Sequence, residues 1–357
     1  MPSPTNIQRE DSVDVVIVTA LEKERDAVLR HLDSPQRVES KNRVVYKSRL
    51  QLEDSNNGYQ VLLLCLGGMG NVQSATAVTQ GIDVWSPTVI ILTGIMGGVE
   101  ESERFLGDLI IAEQIVGYEL GKVDDRGIKP RFEVLRPTHS LIEKARHFPI
   151  EKWVFQPKFL RPDGSSGRII PQVHFGVVAS GEKVIADTLT VAELQRSWIK
   201  LIGIEMEGFG TASAVYQSEA APAMLMVKGI CDWANSNKSD DWQAYAADVA
   251  ASYVVNFLKS NPIGRRENNQ VQPKVLTNFS GRIKIRLCRR LGRDWVNLAD
   301  YFDIPEHHRR RFTQGHECQD IWEWITERDR LYVLKSALDF IERQDLIGLL
   351  DNLEDHD

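Results

Sequence analysis

The chain has 357 residues, enough for one large and one small domain, and its 42% hydrophobic and 26% charged residues are ordinary globular usage. No apolar run reaches the ~18–20 residues of a membrane span, the polar start MPSPTNIQREDS lacks a signal-peptide core, and a net charge of −7 argues against general nucleic-acid binding. Cys65, Cys231, Cys288 and Cys318 stand apart without CxxC or clustered histidines, which indicates neither a metal site nor a disulfide framework and suits a reduced, cytoplasmic protein without a cofactor.

After a polar tail over residues 1–12, Val13–Ala20 is a nearly continuous apolar run, the pattern of a buried strand. LEKERDAVLRHL has helical spacing, and Val44–Arg49 and Tyr59–Leu66 are strand candidates parted by the turn-forming DSNNG. LGGMGN (Leu66–Asn71) opens into the small-residue helix NVQSATAVTQGIDVW, and Pro87 precedes TVIILTGIMGGV, a buried strand ending in glycines. Leu106–Ile115 and Val173–Ser180 are further strands, and DDWQAYAADVAASYVVNFLKS is a closing helix. Strands alternating with helices predict an α/β domain over residues 13–259 with a substantially parallel, covered sheet. Residues 260–277, with Pro262 and Pro273 and few large apolar residues, predict a linker. Residues 278–357 show helical periodicity alone, in RIKIRLCRRL, DWVNLADYF, DIWEWITERD, RLYVLKSALDFIER and DLIGLLDNL, and predict a small all-α bundle.

The stretch from Leu201 to Asn235 concentrates the chemistry. LIGIEMEG ends an apolar strand on Glu205, Met206 and Glu207; after a small-residue helix, AMLMVKGICDWAN ends the next strand on Asp232. Ligands of open α/β sheets bind at the carboxyl ends of strands, and a carboxylate closing an apolar strand is costly without a partner. These strand ends therefore predict an acid-lined pocket acting on a sugar or a base. Taken singly, each residue has a plainer reading: Met206 as core filler, Asp232 as a helix N-cap. Glu24, just past the first strand in TALEKERD, is either a solvated helix face or a carboxylate that activates water or holds a ribose hydroxyl. Gly68 in LGGMGN and Gly94 in LTGIMGGV either let a phosphate or sugar approach the backbone or form tight strand ends. The spacing is not GxGxxG, and no Lys-Ser/Thr follows as in a P-loop.

Together, TALEKE, CLGGMGNVQSA, LTGIMGGV, VASGEKVIAD, IEMEG and KGICDWAN, in this order, resemble the nucleoside phosphorylase / methylthioadenosine–adenosylhomocysteine nucleosidase superfamily over roughly Asp14–Lys259. The resemblance implies a three-layer α/β/α sandwich around a mixed, partly barrel-like sheet, and cleavage of an N-glycosidic bond. It makes Asp232 the general acid that protonates purine N7. Glu207 then grips the ribose hydroxyls, with Glu205 beside it and Met206 packed on the sugar. Glu24 positions the attacking water, and Val184 and Ile185 offer backbone hydrogen bonds to adenine. Many phosphorylases carry an Arg-containing PGDP-type loop after the first strand; a glutamate here repels orthophosphate and favours water. Ile95 replaces the family's small polar residue, and Lys183 stands where nucleosidases often have alanine. Lys23, Arg25 and Lys183 are either solvated or neutralise the phosphates of a nucleotide substrate. The family forms dimers or larger rings, so a homo-oligomer is expected.

Past the linker, LGRDWVNLADYFDIPEHHRRRF sets Leu291, Trp295, Leu298 and Phe302 on one helical seam with Ile304 following. It resembles the death-like adaptor domains appended to effector enzymes in microbial conflict systems. Arg282, Lys284, Arg286, Arg289, Arg290 and Arg293 lead this segment, and Asp339, Glu342, Asp345, Asp351, Glu354, Asp355 and Asp357 close it. Opposed charge is either a solvated surface or a head-to-tail contact with a protein partner. The sequence thus predicts a purine nucleosidase of nucleosides or nucleotides, recruited as an effector through its tail. The alternatives are a nucleotide-sensing module without turnover and a phosphate-dependent phosphorylase.

Overall fold

The computed structural model describes residues 13–40, 43–53, 57–125, 127–150, 153, 158–164, 171–236, 238–263, 281–328 and 330–351. The expected polar tail, most of the linker, the terminal acids Glu354, Asp355 and Asp357, and the side chains of Arg282 and Asp351 lie outside the described residues. Contacts divide the chain into Met1–Gly264 and Arg265–Asp357.

The first unit runs β1 (Val15–Thr19), α1 (Glu22–His31), β2 (Gln36–Ser40), β3 (Arg43–Gln51), β4 (Gly58–Cys65), α2 (Asn71–Trp85) and β5 (Val89–Gly98). It continues with β6 (Leu109–Gly117), β7 (Gly121–Asp124), β8 (Gly127–Pro130), β9 (Glu133–Leu135), α3 (His139–Arg146), β10 (Val173–Ser180) and α4 (Thr188–Ser197). It ends with β11 (Leu201–Glu205), α5 (Gly208–Gln217), β12 (Ala223–Asp232) and α6 (Gln243–Lys259). Among the described residues the main sheet is ordered β11-β10-β6-β12-β5-β1-β4-β3-β2, with β9 on β6 and β7–β8 paired separately.

β1 is apolar from Val15 to Val18 because both its faces are covered. Val15 and Ile17 join the cluster holding Ala27 and Val28 of α1, Leu141 of α3 and Tyr253 of α6. Val16 and Val18 join Ala77 and Ile82 of α2 and Ala212 of α5 on the other side. Each such side chain contributes about 1.5–3 kcal/mol on burial, so a charged residue at any position from Val15 to Val18 would be destabilising on either face. The result is the three-layer arrangement.

The sheet is mixed, so the expectation of a substantially parallel sheet holds only for part of it. β4, β1, β5 and β12 run parallel. β6 runs against β12, and β10 and β11 follow β6. β11 then returns to β5, with Gly203 opposite Gly98 and Ile204 opposite Gly97. That pairing closes β5, β12, β6, β10 and β11 into a partial barrel and leaves β1, β4, β3 and β2 as an open wing. The closure sets the ends of β5, β11 and β12 side by side.

The second unit is all-helical over its described residues: α7 (Gly281–Leu291), α8 (Trp295–Tyr301), α9 (Glu306–Arg309), α10 (Glu317–Glu327), α11 (Leu334–Phe340) and α12 (Gln344–Asp351). Leu291, Leu298, Phe302 and Ile304 are buried with Ile321, Ile325 and Leu338, and Trp295 packs partly buried against them, as the seam predicts. Arg343 binds Asp294 Oδ2 at 2.8 Å and Asp345 Oδ1 at 2.8 Å, and donates to the carbonyl of Arg290. Asp345, one of the closing acids, therefore has an internal partner, while Arg286, Arg289, Arg290 and Arg293 stay exposed. Among the described residues no helix is long and apolar enough to cross a membrane.

Candidate active site

Glu24 sits in the first turn of α1, and its side chain reaches back to the end of β1. Its Oε2 accepts from the amides of Ala20 and Leu21, each at 2.8 Å, and its Oε1 accepts from the amide of Ile95 at 2.8 Å. Only 2% exposed, it is no solvated helix face. Burial pushes its carboxyl above the ordinary range, and the nearby Lys228 only partly opposes this. A glutamate in that condition is a better proton acceptor than a solvated one.

The space for this carboxylate comes from Gly94. A Cβ there would lie 2.1 Å from Glu24 Oε1, and the backbone has φ +149, which L side chains rarely adopt. We expect Gly94→Ala to displace Glu24 and cut turnover by about 10²-fold or more, the scale of a misplaced acid–base group. Steady-state kinetics checks this; a variant turning over at the parental rate would show that Glu24 placement is immaterial.

β11 ends on Glu205, whose Oε2 accepts from the amides of Glu207 and Gly208, both at 2.9 Å. Its Oε1 accepts from Gly208 at 3.0 Å. Glu205 thus caps the start of α5; it touches the cleft, but both its oxygens are turned to backbone rather than offered to a substrate. Burial raises its carboxyl too. Glu207 Oε1 accepts from the amide of Gly70 at 3.2 Å, and its Oε2 accepts from Lys228 Nζ at 3.1 Å. Lys228, on β12, is fully buried and also lies 3.7 Å from Glu205 Oε2. Burial opposes its charge, but Glu207, Glu24 and Glu205 outweigh that and hold the ammonium above its ordinary value.

β12 ends on Asp232. Its Oδ1 accepts from the amide of Ala234 at 2.8 Å; its Oδ2 lies 3.0 Å from Lys238 Nζ and 3.3 Å from Cys231 Sγ. Burial pushes the Cys231 thiol well up, so it is a donor and not a nucleophile.

These strand ends enclose an open cleft. Glu24, Glu205, Met206, Glu207 and Asp232 line it, with Ile95, Lys183, Val184 and Ile185. Gly68 and Gly94 do not line it. Gly94 stands behind Glu24, and a Cβ on Gly68 would meet nothing within 4 Å. The amide of the glycine turn that meets an acid belongs instead to Gly70, at φ +111. Arg25 is also outside the lining and pairs with Asp26 at 2.8 Å; Lys183 lies at the rim and pairs with Glu119.

Sequence reasoning missed Lys228, Lys238, Met69 and Gln243. Lys228 had a signal: a lysine inside the apolar AMLMVKGIC needs a buried partner. Lys238 had none, because its partner Asp232 lies across a turn (Lys238 N to Asn235 O, 3.2 Å) that no residue pattern announces. Among the described residues no cluster suited to a metal ion occurs.

The sequence profile of the phosphorylase superfamily matches residues 14–259, and that of bacterial death-like domain 3 matches residues 281–353. A 5'-methylthioadenosine/S-adenosylhomocysteine nucleosidase of Mycobacterium bovis is 24% identical over 214 residues, spanning 57% of this chain and 81% of its own. The ATP nucleosidase Cap17 of Escherichia coli is 27% identical over 208 residues, spanning 53% of this chain but only 39% of that longer relative. Among solved structures, the methylthioadenosine/adenosylhomocysteine nucleosidase of Neisseria meningitidis with methylthio-immucillin-A shares the fold. It superposes with a TM-score of 0.56 at 20% identity, over 69% of this chain and 99% of that one. The futalosine hydrolase of Helicobacter pylori follows with a TM-score of 0.53 at 16% identity, over 69% and 97%.

Proposed function

The chain belongs to the phosphorylase superfamily, and from that membership we propose that it hydrolyses the N-glycosidic bond of purine nucleosides or nucleotides and releases the free base. The observation that carries this reading is the convergence of Glu24, Glu207 and Asp232 on one cleft at the strand ends.

Each carboxylate has a distinct place in the chemistry. Asp232, with Oδ1 fixed by Ala234, presents Oδ2 to the base as the acid that protonates purine N7. Cleavage of the C1′–N9 bond then leaves the electron pair on a neutral base and positive charge on the ribose. Glu207, held by Gly70 and Lys228, accepts from the ribose hydroxyls while Met206 covers the sugar. Glu24 takes a proton from the water that adds to C1′. Its raised carboxyl suits this step. An orthophosphate nucleophile would meet the Glu24 carboxylate, and among the described residues no arginine lines the cleft, so water is favoured over phosphate.

Two of the relatives are nucleosidases, one of methylthioadenosine and adenosylhomocysteine and one of ATP, which supports adenine as the base. The death-like domain supports recruitment by a protein partner, with the enzyme acting as an effector in a defence or signalling complex and assembling as a homo-oligomer. The test is a panel of ATP, AMP, adenosine and methylthioadenosine, with and without orthophosphate, read as free adenine by chromatography. Adenine release independent of phosphate is expected. Release only with phosphate would make the protein a phosphorylase, and release from no substrate would overturn the reading.

A further inference from the structure

The cleft holds several acids, and one of them, Asp232, carries a part-exposed cation on the oxygen that the base must meet. Glu24 and Glu205 accept backbone amides on both oxygens. Glu207 is held by Gly70 on one side and Lys228 on the other. Asp232 differs. Its Oδ1 is fixed by Ala234 N, and its Oδ2, which also accepts from Cys231 Sγ at 3.3 Å, is covered by Lys238 Nζ at 3.0 Å, an ammonium on a long side chain that is 29% exposed. Oδ2 is the oxygen that the base must meet, so Lys238 has to leave it before a proton can pass to a purine.

Lys238 can turn to solvent, but another anion within reach of its ammonium would draw it from the carboxylate more strongly. None of the other cleft acids can supply one, because Glu24, Glu205 and Glu207 are already partnered. Elsewhere at the rim, Lys183 holds Glu119, and Lys23 is bound to Gln243 Oε1, which also lines the cleft. Asp240 and Asp241, close in sequence, accept from Gln243 and Ser239, and an anionic group on the substrate is the source that binding itself would bring.

We propose that Lys238 is an exchangeable counter-ion of Asp232, which it leaves for a phosphate on the ribose of the substrate, making the site selective for nucleotides over nucleosides. This rests on the reading of the cleft as a purine N-glycosidase site. Binding then frees the acid and neutralises the substrate in one movement, and a nucleoside, lacking the phosphate, leaves Lys238 on Asp232 in competition with the base. Charge-assisted bonds to phosphate are roughly twice as strong as neutral ones, and at a part-exposed rim they are expected to favour the nucleotide by about tenfold.

The test uses C-nucleosides, formycin A and formycin A 5′-monophosphate, whose carbon–carbon glycosidic bond resists cleavage, titrated into the full chain by calorimetry. The wild-type protein is expected to bind the monophosphate about tenfold more tightly. Lys238→Met should bring the ratio of the two affinities close to one, and Lys238→Arg should keep it. Thermal unfolding of both variants establishes that they are folded. The same ratio in wild type and Lys238→Met, tighter binding of formycin A by the wild type, or no binding of either, would overturn the proposal. Because binding is read without turnover, a failure of base release in the chromatographic panel would sink the hydrolase reading separately.

Discussion

Asp232→Asn is expected to lower the rate of base release by about 10²–10⁴-fold, the contribution of a positioned general acid. The substitution keeps the shape of the side chain and the acceptor for the Ala234 amide, so substrate should still bind. What it removes is the proton that an acid can give to the leaving base, because an amide donates a hydrogen bond and not a proton. It also breaks the ion pair with Lys238, but the neutral amide leaves no buried charge unpaired and the 29% exposed ammonium can turn to solvent, so the melting temperature should move by only a few degrees. kcat and thermal unfolding measured on one preparation separate the two effects. Activity within threefold of the parent would remove Asp232 from the chemistry.

Lys228→Met should be the most destabilising single change in the first unit's polar interior. It leaves the carboxylates of Glu205 and Glu207 buried with no cation in contact, and breaking a buried pair from one side costs about 3–5 kcal/mol. Denaturant unfolding reads this as a lowered midpoint with an unchanged slope. The loss should depend on pH. Burial already raises the Glu205 carboxyl above its ordinary 4.5, and removing Lys228 raises it further. A carboxyl whose folded value is raised binds more protons folded than unfolded, so stability falls as pH rises from 4.5 through the raised value. The variant should therefore recover part of its deficit as pH is lowered towards 4.5, and Lys228→Arg should lose less. A Met variant as stable as the parent at pH 7 would mean that the glutamates need no buried cation.

The site was legible where its logic is local. A carboxylate ending an apolar strand announces itself, which is why Glu207 and Asp232 stand out in IEMEG and KGICDWAN and why the structure finds them at one cleft. Glu24 was harder, since E-K-E-R has the look of a solvated helix; its burial depends on the amide of Ile95, on a strand far along the chain. The glycine turn was legible, but which of its amides meets an acid depends on the backbone at Gly70 rather than on composition. β2 passed unnoticed because QRVES is mostly exposed and charged on an edge strand. α4 had a usable signal in Asp187, which accepts from the amides of Leu189 and Thr190 as an N-cap. Barrel closure had no such signal, because residues 97–98 and 203–204 meet only through the curl of the whole sheet.

The account turns on water as the nucleophile at C1′. Turnover of AMP and adenosine in water enriched in oxygen-18, with mass analysis of the sugar product, tests that most directly. The predicted result is free base together with a free sugar carrying the label on its C1 hydroxyl. A sugar 1-phosphate without label, or no cleavage of either substrate, would contradict it.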